Sequence, residues 1–328
     1  MIKTLKRGKI YLLNLLAVFF VGILFIFCGS ASQREELIIF HAGSLSVPFK
    51  ELVEGFNKKY PDVLVLRESA GSRVAARKVS ELKKPADIVA VADYEVIEEI
   101  LMPEYTNWYI SFATNKMVIA YTDTSKYANE INEKNWYEIL TRPGVNYGHS
   151  DPNTDPCGYR ALLVWQLAEK YYRLPGLYEK LQRHCPKKNI RPKETDLIAL
   201  TQAGELDYQF QYLSVARQHN LKVLTLPPQI DLSQVKYANF YKQAKVQISG
   251  EKPGKMVIQT GAPITYALTI PNNAPNKKSA LEFIKFVLSP AGQKIMAKND
   301  QPPIIPAIAN DKSKVPLELQ RFKKDEKR

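Results

Sequence analysis

Four short segments of this chain place small or polar groups where an apolar run ends or a helix begins. They are Gly43-Ser44, Gly71-Ser72, the Asp155-Pro156-Cys157 turn with Gly158 behind it, and Tyr212. A fifth group, Glu194, stands just before a helix start. An apolar strand, a glycine turn and a helical pattern in that order leave backbone N–H groups free at the helix start, where the macrodipole adds partial positive charge. Such a turn is suited to anions. Each side chain also has a bland use. Asp155 can cap the helix that follows it, Glu194 can complement a helix dipole, and Tyr212 can be a half-buried strand residue. Two serine loops, each with a hydroxyl beside free N–H groups, make a donor-rich pocket that packing alone does not call for.

The elements that would position these groups alternate. Residues 37–40 and 63–69 have strand character and run into the two serine turns. Each is followed by apolar spacing of helical period, Leu45, Phe49, Leu52, Val53 and Phe56 after the first. Residues 86–91 read as a buried strand, and 117–121, 144–149 and 208–212 as further strands. A long helix over 159–172 gives way to an irregular Pro- and Lys-rich stretch up to Arg191, and a second helix spans 195–203 before Gly204. Residues 264–270 form a last strand, followed by helices over 277–288 and 290–296. This alternation predicts a mostly parallel sheet covered by helices. It also predicts two lobes, joined by crossings near Thr114 and Pro271, and a disordered charged tail from Asp311.

The chain opens with Lys3, Lys6, Arg7 and Lys9, no acid, and a mostly apolar run over residues 10–27. That is an export leader or an uncleaved anchor, residues 1–33, which places the working part outside the cytoplasmic membrane, tethered or secreted. Cleavage after Ala31 and lipid attachment at Cys28 are both compatible with the string. The formal net charge is +13. The excess is spread along the chain, so it implies weak attraction for anions and anionic membrane, not a nucleic-acid footprint. Beyond Cys28 there are only Cys157 and Cys185, too few for a disulfide framework, and a bridge between them stays open.

The strings HAGSL, ESAGSRVAARKV, PADIVAVADY, SDPNTDPCGYRA, RPKETDLIALTQAGELDYQFQYLSVA and APITYALTIPNNAPN closely resemble the substrate-binding components of tungstate and molybdate ABC importers, in their archaeal-type branch. The resemblance runs from about residue 37 to 308. It implies an α/β, type II periplasmic-binding-protein fold of two lobes joined by a two-crossing hinge, with residues 34–113 plus 272–328 in one lobe and 114–271 in the other. It implies ligand contacts from Gly43, Ser44, Ser72 (Ser69 being the neighbouring alternative), Asp155, Pro156, Cys157, Glu194 and Tyr212, with Asp155 and Glu194 on the metal of the bound oxyanion. It further implies a monomeric receptor, not an enzyme, without a cofactor, that delivers tungstate or molybdate to a membrane permease and its ATPase.

Carboxylates beside a dianion should repel it, and no Arg or Lys in these segments reads as a neutralising partner. The repulsion is tolerable if the carboxylate oxygens touch the central atom. Tungsten(VI) and molybdenum(VI) are large, hard centres that suit carboxylate and expand beyond four oxygens, whereas the sulfur of sulfate does not. Three alternatives stand beside this expectation. Ser44 could be a nucleophile, although only His41 lies near it in sequence; Tyr171-Tyr172 could mark a ferric-ion binder; or the same fold could hold sulfate, phosphate or another anion.

Overall fold

Two mixed sheets organise the computed structural model, which describes residues 34–250 and 254–325. The leader, Cys28 and Ala31 lie outside the described residues. Among those described, no helix is long and apolar enough to cross a membrane. The first sheet takes β1 (Glu35–Ala42), β2 (Val63–Ala70), β3 (Ile88–Val91), β4 (Ile110–Thr114), β12 (Thr265–Thr269), β13 (Pro303–Ala309) and β14 (Lys323–Asp325). Its order is β14-β13-β4-β12-β3-β1-β2. The second takes β5 (Met117–Tyr121), β6 (Tyr147–Ser150), β7 (Ile190–Arg191), β8 (Tyr208–Tyr212) and β9 (Lys222–Thr225), in the order β7-β6-β8-β5-β9. A hairpin, β10 (Lys245–Ser249) and β11 (Met256–Thr260), stands apart from both.

Strand direction decides where the candidate residues go. All four residues of β3 are buried, as expected of a central strand covered on both faces. β3 runs parallel to β1, with Ile39 opposite Ile88 and His41 opposite Ala90. Their carboxyl ends therefore deliver Gly43-Ser44 and Ala92-Asp93 to one edge. In the second sheet β6 is parallel to both β8 and β7. The same edge of that sheet thus emits the Asp155 turn after β6, Glu194 after β7, and Tyr212 at the end of β8.

Aromatic packing lies beneath the first serine turn and beneath the second sheet. The helix Ser46–Asn57, which follows Ser44, packs Phe49 and Phe56 edge-on to Phe283 of the helix Lys277–Leu288, at 6.0 and 5.2 Å between centroids. Under the second sheet, Trp165 meets Phe210 at 5.3 Å and Trp136 meets Phe210 at 5.8 Å. These contacts fix the helix Pro156–Tyr172 against β8.

Four expectations need correction. The sheets are mixed, not mostly parallel: β12 runs against β3 and β4, and β5 runs against β8 and β9. The reversed strands flank the places where the chain passes between sheets, and local hydrophobic pattern does not encode their direction. β12 also belongs to the first sheet, so the second crossing falls between Thr260 and Thr265 instead of near Pro271. The stretch before Arg191 contains a helix, Leu177–His184, whose Leu177 and Leu181 are buried one turn apart. The charged tail is ordered over Leu317–Phe322, with Leu319 buried, and β14 pairs in parallel with β13.

The helix Pro156–Tyr172 reaches the end of β6 only because Gly158 has no side chain. A Cβ there would lie 2.2 Å from the Ser150 carbonyl oxygen and 2.7 Å from the Asp151 carbonyl carbon. Gly158→Ala should therefore destabilise the protein by about 1–3 kcal/mol, as overpacking against backbone does. The urea unfolding midpoint reports this, and an unchanged midpoint would contradict the close approach.

Candidate functional site

Ser44 lies in the one-turn 3₁₀ segment Gly43–Leu45 between β1 and its helix, and it is buried. Its Oγ accepts from the Tyr266 hydroxyl at 2.8 Å, and its carbonyl accepts from Gln301 Nε2 at 3.0 Å. Ser72 opens the helix Ser72–Ser80 and is fully buried, its Oγ accepting from the Ala92 N–H at 3.0 Å. Ser69 is placed differently, its Oγ accepting from Ser46 Oγ at 3.0 Å.

The two sheets close over these turns. A Cβ on Gly71 would come within 2.4 Å of the Thr154 carbonyl oxygen, and the Arg73 N–H donates to that same oxygen at 3.2 Å. On Gly43 a Cβ would sit 2.8 and 2.9 Å from the two carboxylate oxygens of Glu194. Glycine is required at 43 by this close approach of an acid from the facing lobe.

Asp155 does what its bland use predicts and more. It is the N-cap of the helix that begins at Pro156, three residues before the expected start at Tyr159, because proline is well suited to the first helical position. One carboxylate oxygen accepts from the Cys157 N–H at 3.2 Å, and the other accepts from the Glu194 N–H at 2.8 Å. Glu194 is held further by Gln211 Nε2, which donates to its carbonyl at 2.9 Å. Its carboxylate, by contrast, is fully buried and neither oxygen has a hydrogen-bond partner. Burial first, and then the charge of Asp155, push the Glu194 carboxyl well above the usual carboxylate range. Cys157 and Cys185 are both buried free thiols, so no bridge joins them.

Tyr212 is fully buried, and its hydroxyl accepts from Arg160 Nη1 at 2.7 Å. Arg160 is the residue that sequence reasoning missed when it found no cation near the pocket. It lies one helical turn beyond the Asp155 turn, and its identity alone does not say that it points inward. Its charge is already matched. Nη2 donates to Asp93 Oδ2 at 2.6 Å, Tyr159 donates to the same oxygen at 2.7 Å, and Nη1 also reaches the Ala92 carbonyl at 2.8 Å. Asp93 comes from the end of β3, so this buried pair bridges the lobes. Its donors are therefore spent on Asp93, Tyr212 and the Ala92 carbonyl, not on Asp155 or Glu194.

His41 faces elsewhere. Its Nδ1 lies 2.8 Å from the Ala42 carbonyl, its ring packs on Phe49, and burial pulls its pKa down to about 4. The partner of the Ser44 hydroxyl is Tyr266, not this histidine. Among the described residues no group of three or more His, Cys, Asp or Glu side chains could hold a metal ion.

A family model described as bacterial extracellular solute-binding protein matches residues 37–299. An uncharacterized solute-binding protein of Petrotoga mobilis is 57% identical over 289 residues, covering 88% of this chain and 90% of that one. The molybdate/tungstate-binding protein WtpA of Pyrococcus abyssi is 46% identical, covering 85% and 88%. Among solved structures, the periplasmic molybdate-binding protein of Azotobacter vinelandii superposes with a TM-score of 0.57 over 81% of this chain and 98% of its own, at 17% identity, which speaks to fold alone.

Next to the interlobe pair, Glu95 has its pKa pushed up to about 8, by burial first and then by Asp93 and Glu99. The folded protein keeps this proton while the unfolded chain loses it near 4.5, so stability is lost as pH rises from about 4.5 to about 8. Glu95→Gln removes that loss. It should raise the unfolding midpoint at pH 8 and leave it unchanged near pH 4; an equal shift at both would contradict the assignment.

Proposed function

The chain belongs to the bacterial extracellular solute-binding proteins, and from that premise we propose that it captures tungstate or molybdate between its two lobes and delivers the ion to an ABC importer. The observation that carries this reading is the Glu194 carboxylate: fully buried, against Gly43 of the opposite lobe, with no donor on either oxygen. A buried polar group without partners is costly and points to a ligand. An ordinary hydrogen-bonding anion does not supply what this group lacks. At ~4 Å each pair of like unit charges costs about 4 kcal/mol in a partly desolvated site. A tungsten or molybdenum centre reverses the sign of that contact by taking carboxylate oxygens as ligands.

In this reading Asp155 and Glu194 bind the metal from one lobe, Asp155 being oriented by its two N–H donors while it keeps lone pairs to give. Ser44, Ser72 and Tyr212 donate to the oxo groups, and the turns at Gly43 and at Pro156-Cys157 bring backbone close. The pairing of Arg160 with Asp93 withholds a free cation that would otherwise welcome sulfate. Relatives named for molybdate and tungstate at 43–46% identity support the choice of ion. Closure of two lobes around the ligand, a monomeric state, a tether through the leader and a permease with its ATPase complete the proposal.

Glu194→Gln is a clean test, because the carboxylate oxygens lose no protein donor. Tungstate binding should weaken more than roughly tenfold, the scale seen when even outer-shell partners of a metal are lost, and sulfate should stay excluded. Isothermal titration of Asp155→Asn and Glu194→Gln with both ions decides it. Unchanged binding would reduce the two acids to helix-start roles, and tighter tungstate binding would sink metal coordination.

A further inference from the structure

The hairpin of β10 and β11 belongs to neither sheet, and both lobes hold it. On one side the helix Pro156–Tyr172 fixes its first strand. Gln166 Nε2 donates to the Lys245 carbonyl at 2.8 Å, and Gln166 Oε1 accepts from the Lys245 N–H at 2.9 Å. Val246 and Ile248 of β10 are buried, so the strand is packed down and not merely tied. At the far end of β10, Asn153 Oδ1, in the turn that leads to Asp155, accepts from the Ser249 N–H at 2.8 Å and from the Ser249 hydroxyl at 2.9 Å. The hairpin is thus carried by the lobe that holds Asp155 and Glu194.

Its other side meets two arginines of the opposite lobe. Arg73 and Arg77 stand one turn apart on the helix Ser72–Ser80, which follows β2. Arg73 is fully buried; its Nη1 pairs with Glu99 Oε2 at 2.6 Å, and its Nη2 donates to the Ser249 carbonyl at 2.7 Å. Arg77 Nη2 donates to the Gly250 carbonyl at 2.8 Å, and its Nη1 reaches the Asn153 carbonyl at 3.4 Å. Glu99, in the helix Glu95–Ile100, also accepts from Gln259 Nε2 of β11. None of these groups is a proposed ligand contact. They flank the cleft, since Arg73 follows Ser72 and Asn153 stands two residues before Asp155. Hydrogen bonds from a charged donor are the stronger kind, and parting the lobes breaks the whole set together.

We infer that Arg73, Arg77, Glu99 and Gln259 form a latch on the hairpin that holds the cleft shut from outside it, so that they set how long the ligand stays without touching it. The latch rests on the proposed closure around tungstate or molybdate. A two-lobed receptor divides its time between open and closed forms, and contacts made only in the closed form shift that balance. The latch contacts are protein on both sides. Their loss lowers the closed fraction, and with it the apparent affinity, while every ligand contact stays intact. Encounter takes place with the cleft open, so a weakened latch speeds release and leaves capture as it was.

Stopped-flow fluorescence with tungstate reads capture and release in wild type, Arg77→Ala, Gln259→Ala, Lys78→Ala, Ser72→Ala and Ser72→Ala combined with Arg77→Ala, alongside a ligand-free thermal melt of each. Arg77→Ala should speed tungstate release by roughly tenfold, the scale of a hydrogen bond to a charged group, and leave the capture rate unchanged. Gln259→Ala should move release in the same direction, and it stands in for Arg77→Ala if that variant melts early. The Arg77→Ala factor should persist on the Ser72→Ala background, because a latch acts beside the ligand contacts and not through them. Lys78→Ala removes a neighbouring charge that is paired to Glu68 within its own lobe, and it should leave release alone. Release unchanged in both Arg77→Ala and Gln259→Ala overturns the latch and leaves the proposed function standing. So does a Lys78→Ala effect as large as that of Arg77→Ala, which makes the loss one of net charge, and so does disappearance of the Arg77→Ala factor on the Ser72→Ala background, which makes Arg77 a support for Ser72. A wild type that does not bind tungstate overturns the proposed function, and the latch with it.

Discussion

A carboxylate sealed between two lobes, without a counter-ion and without a donor on either oxygen, is the constraint around which this molecule is arranged. Water would relieve Glu194 if the lobes stood apart, and a hydrogen-bonding neighbour would relieve it if one were present. Both of its oxygens are buried, and neither meets a protein donor. Its backbone is nevertheless held on both sides, by Asp155 on the N–H and by Gln211 on the carbonyl. The group is thus placed firmly and left unsatisfied at its tip. Polar groups in folded interiors are usually paired, so an orphan held this firmly is better explained by an absent partner than by tolerance of the cost.

The rest of the cleft leaves that tip without a protein donor. Glycine at 43 lets the acid approach the facing lobe. Asp93 and Tyr212 occupy the donors of Arg160, so it ties the lobes together without neutralising Glu194. In the proposed binding mode the hydroxyls would supply protons for oxo groups, while the acids would address the centre of the ion. Donors around a rim and carboxylates toward the metal suit an oxyanion whose central atom can expand its coordination, and they suit few others.

Much of this was legible in the chain, because the site-bearing segments are local. HAGSL and ESAGSR announce strand, glycine turn and helix without any tertiary knowledge, and DPCG announces a capped helix start. Glu194 and Tyr212 could be placed at a helix start and a strand end, but nothing in their strings said that the acid's oxygens would be bare. What stayed hidden was relational. The direction of β12 and its place in the first sheet depend on partners more than a hundred residues away. The inward turn of Arg160 and its capture by Asp93 are likewise made across the chain. Hydrophobic period and turn chemistry report neighbours in sequence, and these are neighbours only in the folded molecule.

The central claim is that the acids bind the metal itself, and X-ray absorption at the tungsten edge of the tungstate-loaded protein reads that directly. Coordination by Asp155 and Glu194 predicts more than four oxygen neighbours, short oxo bonds joined by a longer carboxylate set. A spectrum matching free tetrahedral tungstate, with four equivalent short bonds and no longer shell, would contradict it.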